Sequence, residues 1–264
     1  MNVPDEKFQK TIPIFYFDEE RKSFQIVVKL KNNPGSLASL LNVLAKQEIN
    51  ILTSVDYAQG DSGIWIGFVQ AKDDKLTTQK LESIARSSPT TISVKTSESI
   101  NGFLIDNLTF PFARLNGDRD VIIRAEFLRD MMRKLRDEFG SAADVFLYKE
   151  GIALEESAEK FYIDRYGAEK LFHALTYFQS FYSALGWAKP ELVFVDPPGR
   201  KATLRLYESF ECSKENGNKP YSHFLRGFIN GSFSTMMGAK TSTREVLCQA
   251  KGDPCCEFLV TEAV

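Results

Sequence analysis

The stretch from Thr243 to Val260, T-R-E-V-L-C-Q-A-K-G-D-P-C-C-E-F-L-V, constrains this chain more than any other. Two runs of alternating apolar and polar residues flank Lys251-Gly252-Asp253-Pro254, the pattern of strand, turn and strand. Centring the turn on Gly252 sets Cys248 opposite Cys256. Side chains alternate faces along a strand, and opposed residues share a face. Val246, Cys248, Cys256 and Phe258 are therefore expected on one face, and Glu245, Leu247, Cys255 and Glu257 on the other. Two thiols facing each other across a hairpin are half of a metal site, or a disulfide. A slip of one residue in the register would reverse every face.

The rest of the composition sets outer bounds. With 264 residues and 43% hydrophobic content, the chain has material for two cores. A net charge of -2 argues against a nucleic-acid partner held by bulk electrostatics. No apolar run approaches the roughly 18 residues of a membrane span. Met1 to Lys7 lacks the basic-then-apolar order of a signal peptide. A cytoplasmic protein without a membrane partner is expected. Four cysteines in a chain this long do not make a disulfide framework, so the thiols are expected to be reduced.

Residues 1–22 read as an N-terminal segment in which Ile12 to Phe17 is apolar enough for an added strand. A first domain spans 23–98. Phe24 to Leu30 reads as a strand, broken by Asn32-Asn33-Pro34-Gly35-Ser36. Leu37, Leu40, Leu41 and Leu44 then recur at helical spacing, the apolar stripe of a helix lying on a core. Strands are expected at Ile49–Tyr57, Ile64–Gln70 and Thr91–Val94, with a second helix through Leu76, Leu81, Ile84 and Ala85. The order is βαββαβ, a ferredoxin-like sandwich. That order, with N-N-P-G-S-L-A-S-L-L after the first strand, resembles an ACT domain. The resemblance implies a small regulatory module that pairs into larger sheets, hence a homodimer. It also implies an amino-acid ligand at Asn33, Pro34, Gly35, Ser36 and Leu37. The physical basis would be close backbone approach at Gly35 and free N–H groups at the helix start, which suit a carboxylate. The plainer reading is a tight strand-to-helix turn.

A second domain is expected over 100–264, of α+β class, with an antiparallel sheet packed by helices. It opens with a short strand, Gly102 to Leu108. Phe127, Met131, Leu135 and Phe139 predict an amphipathic helix over 124–139, with Arg129, Arg133, Lys134 and Arg136 on a solvated face. Helices are expected at 155–166 and 168–187, strands at 191–195 and 201–212, and a helix at 221–237. In the last of these, Gly227 and Gly231 lie on one side and allow close packing.

Three motifs in this part carry a resemblance. Ser209-Phe210-Glu211, then Gly227 to Gly231 as G-x-x-x-G, then C-x-x-x-G-D-x-x-C-E-F from Cys248 stand in the order seen in the 4-vinyl reductase domain family. Members of that family sense aromatic compounds ahead of transcription activators, or accompany chlorophyll-type pigment synthesis. Vesicle-tethering subunits share its fold. The resemblance implies a small hydrophobic or aromatic ligand and a zinc site. Zinc-binding sensors of the family use one glutamate and three cysteines, two of them spaced as Cys248 and Cys256. Where the remaining cysteine is expected, this chain has Ser222. Glu211, Cys212, Cys248 and Cys256 are therefore the expected ligands, with Cys255 or His223 as alternatives to Cys212. The plain alternative is that the thiols are buried small hydrophobes.

No nucleophile–histidine arrangement, phosphate loop or dinucleotide fingerprint occurs. His173 is a candidate axial haem ligand, although a core or surface histidine is the commoner case. The expectation is a non-catalytic regulatory protein that senses a small molecule and signals to a separate protein partner. The alternatives are an assembly or scaffold protein of the vesicle-tethering type, and an accessory protein or reductase of tetrapyrrole metabolism.

Overall fold

The computed structural model describes residues 8–72, 75–115, 117–167 and 179–263. They form two compact units, Met1–Val121 and Ile122–Val264. Both are mixed α and β, with antiparallel sheets.

In the first unit the chain runs β1 (Phe15–Phe17), β2 (Ser23–Lys31), α1 (Ser36–Ala45), β3 (Asn50–Gln59), β4 (Ser62–Gln70), α2 (Thr78–Arg86), β5 (Thr91–Glu98) and β6 (Phe103–Ile105). The main sheet is ordered β3-β4-β2-β5, so β2 is central and pairs with β4 and β5. Strand β2 turns Phe24, Ile26 and Val28 inward, and α1 lays Leu40 and Leu44 over them. Helix α2 starts where the Thr77 hydroxyl accepts the Lys80 N–H at 3.2 Å. It buries Leu81 and Ala85 in the same core. The Trp65 ring lies where a Cβ on Gly67 would stand, which explains the glycine in the middle of β4.

This unit extends past the Glu98 boundary expected from the sequence. Strand β6 pairs with β1 in a two-stranded ribbon. The Gln25 side chain, buried in the sheet, donates to Asp106 Oδ1 at 2.5 Å and accepts from the Asn107 N–H at 3.1 Å. Residues expected to open the second domain are thereby fastened to the first.

The second unit runs α3 (Ala125–Phe139), α4 (Ser141–Tyr166), α5 (Ser180–Ala184), β7 (Lys189–Asp196), β8 (Lys201–Tyr207), α6 (His223–Met237), β9 (Thr241–Leu247) and β10 (Cys256–Glu262). Its sheet is ordered β7-β8-β10-β9. Strand β8 alternates strictly, with Ala202, Leu204 and Leu206 inward. Residues 168–178, including His173, lie outside the described residues.

Helices α4 and α6 cross closely. A Cβ on Gly227 would strike the backbone carbonyl of Tyr148, and one on Gly151 that of Phe224. Glycine on both helices lets the backbones touch, as the spacing of Gly227 and Gly231 suggests. Helix α4 begins at Ser141, well before the expected start at Glu155, and carries Gly151 in its interior.

Helix α3 departs from expectation in its orientation. Phe127, Met131 and Phe139 are exposed, whereas Arg129 is buried and Arg136 nearly so. Arg129 donates to the Phe210 carbonyl at 3.1 Å, and Arg136 donates to Glu211 at 2.9 Å and to the Tyr221 carbonyl at 3.0 Å. Of the four basic residues expected on a solvated face, Arg133 and Lys134 are exposed, whereas Arg129 and Arg136 are drawn inward by buried acceptors that favour charged donors.

Candidate metal centre

The hairpin tip is built by its own turn. Gly252 takes a left-handed conformation, with φ of 90°. The Asp253 carboxylate accepts the Cys248 N–H at 2.8 Å, and the Lys251 N–H donates to the Cys248 carbonyl at 2.9 Å. Cys248 is thus locked just beyond β9, while Cys256 opens β10. The Gln249 N–H lies 3.4 Å from Cys256 Sγ and donates to it.

Register then brings in a residue that the sequence pattern assigns to the other face. Leu247 pairs with Glu257, but Phe258 pairs with Glu245, so Val246 is the extra residue of a bulge. Beyond the bulge every face reverses. Thr241, Thr243 and Glu245 point inward. The Asn230 side-chain oxygen accepts from both threonine hydroxyls, at 3.3 and 3.0 Å.

After β8 the chain turns sharply. The Ser209 N–H donates to the Gln249 side chain at 3.1 Å, and the Ser213 N–H to the Ser209 carbonyl at 2.9 Å. This turn sends two sequence neighbours to different tasks. Cys212 faces the hairpin, with its Sγ 3.7 Å from that of Cys248. Glu211 faces helix α6 instead. Its carboxylate accepts the N–H groups of Phe224 at 3.1 Å and Leu225 at 3.0 Å, and pairs with Arg136. Glu211, expected as a metal ligand, is the anionic cap of α6.

The structure therefore brings together Cys212, Cys248 and Cys256 from the expected set, and adds Glu245 in place of Glu211. One donor atom from each of the four lies within 4.8 Å of every other, and all four residues are buried. Among the described residues this is the group of side chains able to hold a metal ion. Cys255 and His223 are not in it. His223 Nε2 faces Asp144 at 3.4 Å, and its ring is pushed down to about 4 by burial, with Arg226 also opposing its charge.

The donors' protonation fits a cation. Burial, with the Cys248 charge beside it, pushes the Glu245 carboxyl up to about 8. Hydrogen bonding from Cys212 and Cys256 holds the Cys248 thiol well down, while bonding to Cys248 and Cys256 pushes Cys212 up. A dry pocket resists carrying four negative charges at once. A divalent ion bound here would supply positive charge and displace protons from the donors.

A second cluster lies in the same unit. The Trp187 ring packs against Phe228 at 5.1 Å, Phe224 at 5.9 Å, Phe210 at 6.0 Å and Tyr182 at 6.2 Å between centroids. Of the aromatic residues in the helix expected at 168–187, Phe172, Tyr177 and Phe178 lie outside the described residues.

In the first unit, Asn33, Pro34 and Gly35 are exposed, and Gly35 has φ of 85° at the start of α1. The Ser36 hydroxyl is buried and unpartnered.

Comparison with known proteins agrees with the position of the hairpin. Residues 202–262 match the family model of the vinyl-4-reductase (V-4-R) domain. The stretch includes Cys212, Ser222, Glu245, Cys248 and Cys256. No curated protein sequence matches the chain. Among solved structures, the phenol-responsive sensory domain of the transcription activator PoxR with phenol is similar at 18% identity, over 58% of this chain and 84% of that one, with a TM-score of 0.43. A vinyl-4-reductase family protein from Methanocaldococcus jannaschii is similar at 15% identity, over 55% and 100%, with a TM-score of 0.34. The ACT domain from the GTP pyrophosphokinase of Chlorobium tepidum is similar at 21% identity, over 28% and 96%, with a TM-score of 0.25. Among the described residues no helix is long and apolar enough to cross a membrane.

Proposed function

We propose that the second unit is a non-catalytic sensing module for a small apolar or aromatic molecule, with its hairpin fastened by zinc. The observation that carries this reading is the convergence of four buried donors inside the region matched by the family model. Three thiolates and one carboxylate form a closed four-donor set of the kind structural zinc takes. With Zn–S bonds of about 2.3 Å, tetrahedral geometry puts two sulfurs about 3.8 Å apart. Cys212 and Cys248 stand at 3.7 Å. Zinc here would tie the turn after β8 to β9 and β10. The aromatic cluster around Trp187 would supply the apolar recognition surface.

The first unit is assigned a regulatory role, with an amino-acid carboxylate at Asn33 to Leu37 and pairing of two chains through 23–98. The buried, unpartnered Ser36 hydroxyl supports a polar ligand at that loop. A separate protein would receive the signal.

Native mass spectrometry of freshly purified protein tests all parts together. The expected result is a dimer carrying about one zinc per chain, as a single closed site requires, and a retained small molecule. Less than about a tenth of an equivalent of zinc, in protein never exposed to chelator, would remove the metal. A metal-loaded protein that shifts with no aromatic compound would favour an assembly role.

A further inference from the structure

We infer that Ser222 is the positioning residue of the metal centre, holding both oxygens of Glu245 so that this carboxylate serves as the fourth donor. The inference rests on the metal reading above and deepens it.

A carboxylate buried as deeply as Glu245 needs donors. Ser222 supplies two. Its backbone N–H donates to Glu245 Oε2 at 3.0 Å and its hydroxyl donates to Oε1 at 2.7 Å. Two bonds from one residue to the two oxygens fix the plane of the carboxylate, not only its position. Each oxygen has two lone-pair directions, so one on each remains for a metal. The same hydroxyl lies 2.8 Å from Cys212 Sγ and 3.5 Å from Cys256 Sγ. It touches three of the four donors.

Ser222 stands at the N-cap of α6, where a serine hydroxyl usually accepts an N–H of the first turn. It makes no such bond. Glu211 accepts those N–H groups from outside the helix. The capping role has passed to Glu211, and the hydroxyl is turned to the cluster.

The hydroxyl has one proton to give. Without metal, the Cys212 thiol can donate to Ser222 Oγ while Ser222 donates to Glu245. When a metal takes the place of the Cys212 proton, Ser222 keeps its bond to Glu245 and the thiolate binds the ion. Partners of this kind orient metal ligands and commonly matter for affinity by about 10- to 100-fold.

The test uses the full chain and cobalt(II), whose visible spectrum reports both the number of thiolates and the geometry of the set. Ser222→Ala is expected to weaken cobalt binding by about 10- to 100-fold. The thiolate charge-transfer bands should keep their intensity while the ligand-field bands shift. Ser222→Thr, which keeps the hydroxyl, should restore both affinity and spectrum. In a Glu245→Gln background, Ser222→Ala should cause no further loss. Wild-type affinity in Ser222→Ala would overturn the inference, as would an equal loss in the Glu245→Gln background. If Ser222→Ala does not fold, Ser222→Thr decides. Weakened binding by folded Ser222→Thr, with the hydroxyl present, would overturn it. A wild-type chain that takes up no cobalt would instead overturn the metal reading, and this inference with it.

Discussion

Strands β2 and β9 both turn alternate residues inward, but they send in different chemistry. Central β2 buries Phe24, Ile26 and Val28. Edge strand β9 buries Thr241, Thr243 and Glu245. The first set is stabilised by leaving water, about 1.5–3 kcal/mol for each full-sized side chain. The second set gains nothing from leaving water and is tolerated only where partners await it: Asn230 for the threonines, Ser222 for Glu245. The first unit's core is therefore complete in itself. The C-terminal hairpin buries Phe258 and Val260 as well, but its β9 strand adds stability only as far as its inward polar groups are satisfied, and a bound ion would be a strong way to satisfy them.

The largest expected effect is metal removal. Chelation should raise amide exchange across α6, β9 and β10 while leaving β2 and β4 unchanged. Structural zinc binding reaches about 10–16 kcal/mol in small zinc domains. Even a fraction of that would lower local opening energies in the hairpin by several kcal/mol. Equal exchange in both sheets with and without chelator, read by mass spectrometry, would erase the contrast.

Core substitutions come next. Leu40→Ala opens a cavity under α1 and should cost about 2–5 kcal/mol in the first unit without changing metal content. Gly227→Ala acts in the opposite sense. Its new methyl meets the Tyr148 backbone, which cannot swing aside as a side chain can. A cost of about 3 kcal/mol, at the upper end for overpacking, is expected in the second unit. Denaturant titration of each variant measures both.

These contrasts also show what the sequence could reveal. The β2–β5 elements are legible because their strands alternate and Leu37, Leu40, Leu41 and Leu44 repeat at helical spacing. Cys248 and Cys256 are legible as a pair because the Gly252 turn is short and its register holds as far as Leu247 and Glu257. Glu245 is not, because the bulge at Val246 leaves no mark in composition. The signal that could have found it is the run Thr241, Thr243, Glu245, whose period of two makes sense only as a polar inward face. Glu211 misleads for the reverse reason. Adjacency to Cys212 suggests a shared task, and a turn separates neighbours that a strand would keep on fixed faces. The inward arginines of α3 depend on the Phe210 carbonyl and on Glu211, more than 70 residues away in sequence. Local charge patterning cannot see them.

A smaller effect is expected from pH. Burial pushes the Glu155 carboxyl up to about 7, with Ser232 donating to it at 2.9 Å in opposition and Glu159 adding like charge. A raised folded-state value means the folded protein holds the proton more tightly than the unfolded chain. This contribution is complete below the ordinary glutamate value and is lost as pH rises through about 7. Because Glu155 is only partly buried, about 1–2 kcal/mol is a reasonable span. Glu155→Gln should flatten that part of the stability profile. Thermal unfolding from about pH 5 to about pH 8, the interval where the group titrates, makes the measurement. An unchanged slope in the variant would assign the pH dependence elsewhere.

The smallest effect separates two adjacent residues. Cys255 and Cys256 are both buried, yet only Cys256 belongs to the donor cluster. Burial pushes the Cys255 thiol up, and the charges around it are Arg205, Glu257, Glu191 and Asp253, none of them a cluster donor. Cys255→Ala should leave metal content unchanged and cost about 1 kcal/mol or less, the loss of one small side chain. Cys256→Ala should release the metal and destabilise the hairpin far beyond that. The two variants remove the same atoms from positions one residue apart, so volume and local propensity cancel in the comparison. What remains is the strand face. Metal analysis together with denaturant midpoints gives the answer. Equal costs and equal metal content in the two variants would mean that Cys256 is packed as an ordinary core thiol and that the hairpin owes its stability to apolar burial, as the first sheet does.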